Sequence, residues 1–383
     1  MYFKIKFVPV SVLLIVVLLV FGSGVQANSS PGERIEVSRP QDNLVVAKDI
    51  SPAEQENALA FWTHEAIAEA QPMEMPSQLG PAEVDEAALI EPEVSENPGF
   101  VAAGVAALDA DLVAQAAYPL DWAVSEETDV SDLHLLGPDG TSGVYTSYII
   151  NQFRAMQNRY PHKWVGRISF TTPNGTSFCS GTSISGNIML TAAHCLYDST
   201  NNIWYSNWAF TPAYRRGSAP YGTFPATTCW VLTAWINLTG GYSINTWARH
   251  DVGVCNMGNN SAGQTLNNAV GWMGRSWNAP YTRHFHDLGY PFRDYNNALL
   301  SNAGRFLRTC VAESRQQTNQ TLGMGCNFGG GISGGPWMID YAPNLVSGYA
   351  NSVNSGIFIG SQNIYGARFN NNNIVPLCNA AGC

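Results

Sequence analysis

The first 178 residues of this 383-residue chain contain no cysteine; all eight lie between Cys179 and Cys383. The remainder is correspondingly short of acid. After residue 150 the only carboxylates are Asp198, Asp251, Asp287, Asp294, Glu313 and Asp340, six against 14 basic residues. No C-x-x-C occurs, and the cysteine spacings do not fit a zinc site. Lys163, Arg167, Arg215 and Arg216 form no dense basic run interleaved with stacking aromatics, which argues against nucleic-acid binding. No repeat recurs at solenoid spacing. What remains is an exported-looking chain whose even cysteine count reads as disulfides, with 105 complete pairings open.

The missing acid is upstream. Of the 29 acidic residues, 23 fall between Glu33 and Asp139, where only Arg34, Arg39 and Lys48 oppose them, so this arm carries 3 − 23 = −20. The part beyond residue 150 carries 14 − 6 = +8. Met1–Ala27 reads as a secretory signal: Lys4 and Lys6 precede the apolar run Phe7–Phe21, and Val25-Gln26-Ala27 offers a small-residue cleavage site. The competing reading, a membrane anchor, needs a longer apolar span. Residues 28–145 are rich in Ala, Glu and Pro. Helices are predicted over Ala58–Trp62 and Val101–Ala117, separated by Pro72, Pro76, Pro81, Pro92 and Pro98. One-signed charge, few aromatics and no cysteine predict a pro-segment, partly disordered alone, that docks on the basic body through opposite charge and is later removed. A solvated acidic linker is the plainer alternative. The boundary is predicted between residues 138 and 160, beginning in the turn-rich stretch Gly137–Gly143. Beyond it, runs such as Trp164–Phe170 and Ile357–Gly360, broken by Asn, Gly and Pro, predict short strands and little helix.

Three motifs in residues 146–383 carry chemistry. Gly331-Ile332-Ser333-Gly334-Gly335-Pro336 holds a serine on a tight turn, with glycines that let neighbouring N–H groups converge on one point. Thr191-Ala192-Ala193-His194-Cys195 follows the buried-strand pattern Asn187-Ile188-Met189-Leu190 and supplies a base. Arg249-His250-Asp251-Val252-Gly253-Val254 supplies an acid at the start of an apolar run, where a carboxylate needs a partner. Asp287 is the fallback acid. His284-Phe285-His286 lacks a third ligand for a metal and reads as a surface or turn feature, and His250 as structural.

The chain order His194, Asp251, Ser333 distinguishes among the unrelated folds that use these three residue types. On these motifs the last ~230 residues resemble the trypsin/chymotrypsin-like serine proteases, and within them the bacterial glutamyl endopeptidase-like branch. Phe210–Tyr214, Gly217–Gly222 and His286–Pro291 are similar to segments of that branch. The resemblance implies an all-β, chymotrypsin-like double β-barrel and a secreted serine endopeptidase made as a precursor. It implies His194, Asp251 and Ser333 as the triad, and the N–H groups of Gly331 and Ser333 as the oxyanion hole. Protein or peptide substrates, the chain's own acidic pro-segment as a partner, a monomer without stable membrane insertion after signal removal, and no metal or organic cofactor follow from it. It favours Cys179–Cys195 and Cys310–Cys326 as disulfides, leaving Cys229–Cys255 and Cys378–Cys383.

The departures are as informative. Ile332 stands where trypsin has an aspartate that pairs with a new N-terminus. Phe328, five places before the serine, replaces the hydroxyl residue by which the glutamyl branch reads acidic side chains, and Val346–Asn351 contains no histidine. Acidic specificity therefore does not transfer, nor does trypsin's acidic pocket base. Asn327, Phe328 and Ala350 are expected to line a pocket for a neutral side chain. A catalytically silent secreted binding module on the same fold is the alternative class. An esterase would instead place G-x-S-x-G at a strand-to-helix elbow in an α/β chain.

Overall fold

The computed structural model describes residues 44–79, 97–107, 133–134, 144–150, 156–238, 243–342 and 346–383. The expected signal, the turn-rich stretch Gly137–Gly143 and residues 108–117 of the second predicted helix lie outside these.

Twelve strands form the body: β1 (Val165–Thr172), β2 (Gly175–Ile184), β3 (Ile188–Thr191), β4 (Ser206–Pro212), β5 (Phe224–Leu232) and β6 (Gly253–Met257), then β7 (His284–Gly289), β8 (Arg308–Thr318), β9 (Thr321–Gly325), β10 (Pro336–Ala342), β11 (Ser347–Ile359) and β12 (Asn363–Ala367). The first six close into one antiparallel ring, β1-β2-β3-β6-β5-β4 and back to β1. The second six close in the equivalent order, β7-β8-β9-β12-β11-β10 and back to β7. The molecule is thus the chymotrypsin-like double barrel that the motif order implies.

The strands do not show clean in–out alternation. All four residues of β3 and all five of β9 are buried, and the first six of β1 are buried as well. One face of such a strand fills its barrel and the other is covered by chain outside it, so the sequence reads as a continuous apolar or small-residue run. Trp164, Ile168, Phe170, Phe210, Phe224 and Val254 are among the fully buried residues of the first core. Phe285, Leu322, Met324, Phe328, Ile332 and Trp337 lie in a separate cluster in the second barrel. Closure removes the free edges that open sheets must protect.

The upstream arm pairs with both barrels. Val45–Asp49 lies antiparallel to Leu232–Thr228 of β5. Helix Pro52–Phe61 contains all but the last residue of the predicted Ala58–Trp62 stretch, Trp62 being its C-cap, and starts from a capping box, Ser51 and Glu54 bonding reciprocally. Val101, by contrast, ends a short strand, Gly99–Val101, paired with Arg275–Trp277. Edge pairing there overrides the helical preference of the alanines that follow. Trp62, Ile67 and Ala70 are buried in the first core, so the described contact is largely apolar. The ion pair Glu74–Arg293, at 3.6 Å, joins an exposed carboxylate to a half-buried guanidinium and contributes little. Strand Tyr145–Ile149, at the expected domain boundary, pairs with Arg308–Val311 of β8. Among the described residues no helix is long and apolar enough to cross a membrane.

Candidate active site

The register of the first barrel brings His194 and Asp251 together. β6 runs antiparallel to β3 with Gly253 opposite Thr191. Continued two residues beyond the ladder, that register sets Asp251 opposite Ala193. The chain turns there in two single 3₁₀ turns, Ala193–Cys195 and Ala248–His250. Asp251 is fully buried and satisfied twice by one residue: the His194 main-chain N–H donates to Oδ1 at 2.8 Å, and His194 Nδ1 lies 2.7 Å from Oδ2. A carboxylate facing Nδ1 makes that nitrogen the donor and leaves Nε2 as the acceptor. The Cys179–Cys195 disulfide ties the residue after His194 to β2.

Ser333 belongs to the other barrel, on the loop between β9 and β10. Its turn needs glycine: Gly331 has φ +91° and Gly334 φ +76°. A Cβ on Gly334 would sit 2.0 Å from Thr191 Oγ1 and 2.7 Å from the Ala192 nitrogen, so the serine turn lies directly against the chain leading into His194. Ser180 of β2 clamps it across the seam. The Ser180 main-chain N–H donates to the Ser333 carbonyl at 2.8 Å, its hydroxyl donates to the Gly331 carbonyl at 3.0 Å, and that same oxygen accepts from the Tyr290 N–H at 2.9 Å. Ser333 Oγ and His194 Nε2 are both buried and have no hydrogen-bond partner. Two unsatisfied polar atoms at the junction of two barrels are costly, and such atoms call for a functional account.

From below, Asn354 of β11 holds the turn. Its N–H donates to the Gly335 carbonyl, and its carbonyl accepts from the Gly334 N–H. Its side-chain amide donates to Asp287 Oδ1 at 2.6 Å, and its Oδ1 accepts from the Trp337 indole at 2.6 Å. Asp287, the fallback acid, is therefore fully buried in the second barrel, where burial pushes its carboxyl well above the usual range against the pull of the Asn354 bond. His194 is bound by Asp251 instead.

Asn327 and Phe328 are buried in the second barrel beside the Cys310–Cys326 disulfide, Phe328 in the cluster that holds Ile332. Ala350 does not join them. It faces Met338 and Arg275 further up β11 and lies in the other core cluster, while the part of β11 alongside the serine turn is Val353–Gly356. β11 is irregular between Ala350 and Ser352, where it faces Met338 and Trp337 of β10, and again between Asn354 and Gly356. The remaining disulfides are Cys229–Cys255 and Cys378–Cys383. His284 and His286 stack edge-on, and His286 lies over Tyr341. Burial, then the neighbouring His284, lowers His286 to about 4. Burial and Arg249 do the same for His250.

Sequence reasoning missed Ser180 and Asn354. Ser180 follows a cysteine and is otherwise an ordinary strand serine; Asn354 sits in a run with no motif. Among the described residues one group gathers three metal-type side chains, Cys179, His194 and Cys195, but its two sulfurs are joined to each other, and the donor set does not fit a metal ion.

A trypsin family model matches residues 149–220, a stretch that holds β1 to β4 and His194 but neither Asp251 nor Ser333. An extracellular metalloprotease of Bacillus subtilis (strain 168) is 31% identical over 117 residues, 30% of this chain, and the chain spans 33% of that relative's length. The crystal structure of the protease Anisep from Arthrobacter nicotinovorans is 31% identical, covers 57% of this chain and 95% of its own, and has a TM-score of 0.48. A Glu endopeptidase structure is 16% identical, covering 65% of this chain and 99% of its own with a TM-score of 0.48.

Proposed function

Starting from a trypsin-like serine protease fold, we propose that the protein is a secreted serine endopeptidase, made as a precursor, that hydrolyses peptide bonds through an acyl-enzyme. Residues 1–27 serve as signal, 28–145 as pro-segment and 146–383 as protease domain. Ser333 Oγ attacks the substrate carbonyl carbon. His194 Nε2 takes the hydroxyl proton and returns it to the leaving amine; water then repeats the sequence to release the acid. Asp251 fixes the tautomer in which Nε2 is the free acceptor and stabilises the imidazolium that forms. The N–H groups of Gly331 and Ser333 would receive the oxyanion, each such donor being worth about 10²–10³ in rate. Asn327 and Phe328 favour a neutral side chain at the cut site.

One observation carries this reading. A hydroxyl and an imidazole nitrogen lie buried without partners, and the far side of that imidazole is bonded to a buried carboxylate. The test is a serine-reactive phosphonate with peptide mapping, alongside peptidase assays. Labelling confined to Ser333, lost in Ser333→Ala together with peptidase activity, is the expected result. Full peptidase activity in Ser333→Ala would refute it.

A further inference from the structure

The upstream arm does not merely rest on the barrels; residues 71–79 cross the seam between them. Gln71 and Pro72 run parallel to Ser177 and Phe178 of β2 in the first barrel. Ser77–Leu79 runs parallel to Ile357–Ile359 of β11 in the second. Between these anchors the main chain bonds to both barrels. The Met73 N–H donates to the Phe178 carbonyl at 2.8 Å, and the Pro76 carbonyl accepts from the Ile357 N–H at 3.1 Å. Gln78 adds a side-chain bond, its Oε1 accepting from the Ile244 N–H at 3.1 Å.

Two contacts show what this crossing occupies. The Met73 carbonyl accepts from the Gly331 N–H at 3.1 Å, so a peptide carbonyl oxygen already sits on one of the two donors assigned above to the oxyanion. Met75 is 5% exposed and lies in the second barrel's apolar cluster with Phe328, Ile332 and Ile357, the neighbourhood assigned to the cut-site side chain. Yet carbonyl and side chain come from residues two apart. In a productive substrate the attacked carbonyl and the side chain in the specificity pocket belong to one residue. With Met75 buried there, the carbonyl on Gly331 belongs to Met73, and the bond that would be cut is out of register with the pocket.

We propose that residues 71–79 are an intramolecular ligand of the substrate cleft: a strap that adds a strand to each barrel, seats Met73 on Gly331 and Met75 in the apolar pocket, and blocks substrate without being cleaved. This rests on the serine-protease reading. Strap and barrels belong to one chain, so they meet at an effective concentration instead of a bulk one, and modest contacts suffice. The pairing is main-chain β-augmentation with one buried side chain supplying selectivity. Met75 being unbranched and neutral also marks the pocket as one that accepts such side chains.

The test uses the full chain. Met75→Asp places a charge in an apolar site and should release the strap; Met75→Ser is the milder companion, and Glu56→Gln, at an exposed position of helix Pro52–Phe61 outside the strap, is the control. The first readout is the rate of Ser333 labelling by a phosphonate. The second is hydrogen exchange at the amides of Gly331 and Ile357, which does not depend on the nucleophile. Labelling at least tenfold faster in Met75→Asp, an intermediate rate in Met75→Ser and no change in Glu56→Gln, with exchange rising at Gly331 and Ile357 while the barrel strands stay protected, is the expected result. Where Ser333 labels, a rate unchanged by Met75→Asp overturns the strap, whether or not exchange rises. Where no variant labels, exchange alone decides: a rise at Gly331 and Ile357 leaves the strap standing and refutes Ser333 as nucleophile, and no rise overturns the strap.

Discussion

Ser180 and Ser333 belong to different barrels, and the N–H of the first donates to the carbonyl of the second at 2.8 Å. With its hydroxyl also bridging the Gly331 carbonyl and the Tyr290 N–H, Ser180 sets the position of the serine turn relative to the chain that carries His194. Ser180→Ala keeps the main-chain bond but strands a buried carbonyl and a buried N–H. It should cost about 1–3 kcal/mol in denaturant unfolding. It should also lower the rate of Ser333 acylation, and Ser180→Thr should not restore it, because a Cβ placed at the adjoining Gly289 would already lie 3.0 Å from Ser180 Cβ.

Asp251→Asn should retain the fold while presenting the wrong tautomer to Ser333. The expected loss is about 10⁴ in kcat with KM little changed. Steady-state kinetics on a neutral-residue peptide checks it; a loss confined to KM would contradict the role given to Asp251.

Asp287→Asn should stabilise the protein in a pH-dependent way. Its carboxyl is raised by burial, so the native state holds that proton more tightly than the unfolded chain does. The stability this contributes is fully present below the unfolded value of about 3.9, and is lost as pH rises through the folded value. The amide keeps an acceptor for Asn354 and removes the ionisation. Thermal melts should show the variant and its parent close together near pH ~4 and the variant higher near pH ~8, the gap opening as pH climbs above the unfolded value. A gap of the same size at both values would remove the ionisation from the account.

His162 acts in the opposite sense. It is buried before β1, and burial lowers it to about 4. Its contribution is present above the unfolded value of about 6.5 and is lost as pH falls toward about 4, on the order of 3 kcal/mol in full. His162→Phe should flatten the acid limb of the stability curve between those pH values, measured by urea midpoints.

Gly334→Ala tests the packing of the serine turn. The added methyl would meet Thr191 Oγ1 at 2.0 Å, the Ser180 carbonyl oxygen at 2.6 Å and the Ala192 nitrogen at 2.7 Å, at a φ of +76°. Two of these three are main-chain atoms that cannot move alone. A loss above ~4 kcal/mol, or failure to recover folded protein, is expected.

The double barrel was legible because chain order and strand composition are local properties. The small residues before His194, the apolar run after Asp251 and the glycines around Ser333 are local in the same way, each set by the turn or strand end that holds it. Asn354 and Ser180 were not legible, because each acts through bonds to residues distant in the chain, 17 positions away for Trp337 and 151 for Gly331, and carries no local pattern. Ala350 lies in a different core cluster from Phe328, and irregularities in β11, invisible in its sequence, set which of its residues run beside the serine turn. Reading the arm by its charge likewise overlooked Trp62, Ile67 and Met75, three well-separated apolar residues in a sequence dominated by acid.

Cys229 and Cys255 stand directly opposite each other on β5 and β6, the pair of strands that completes the first ring. The second ring is completed by β7 and β8 without any such staple; its disulfide joins Cys310 to Cys326 elsewhere. The half that bears the imidazole and the carboxylate is therefore stapled across one strand pair and again beside the base, whereas the half that bears the alcohol holds a single cross-link, Cys310–Cys326. Heat or denaturant should disarm the nucleophile while its base and acid still face one another.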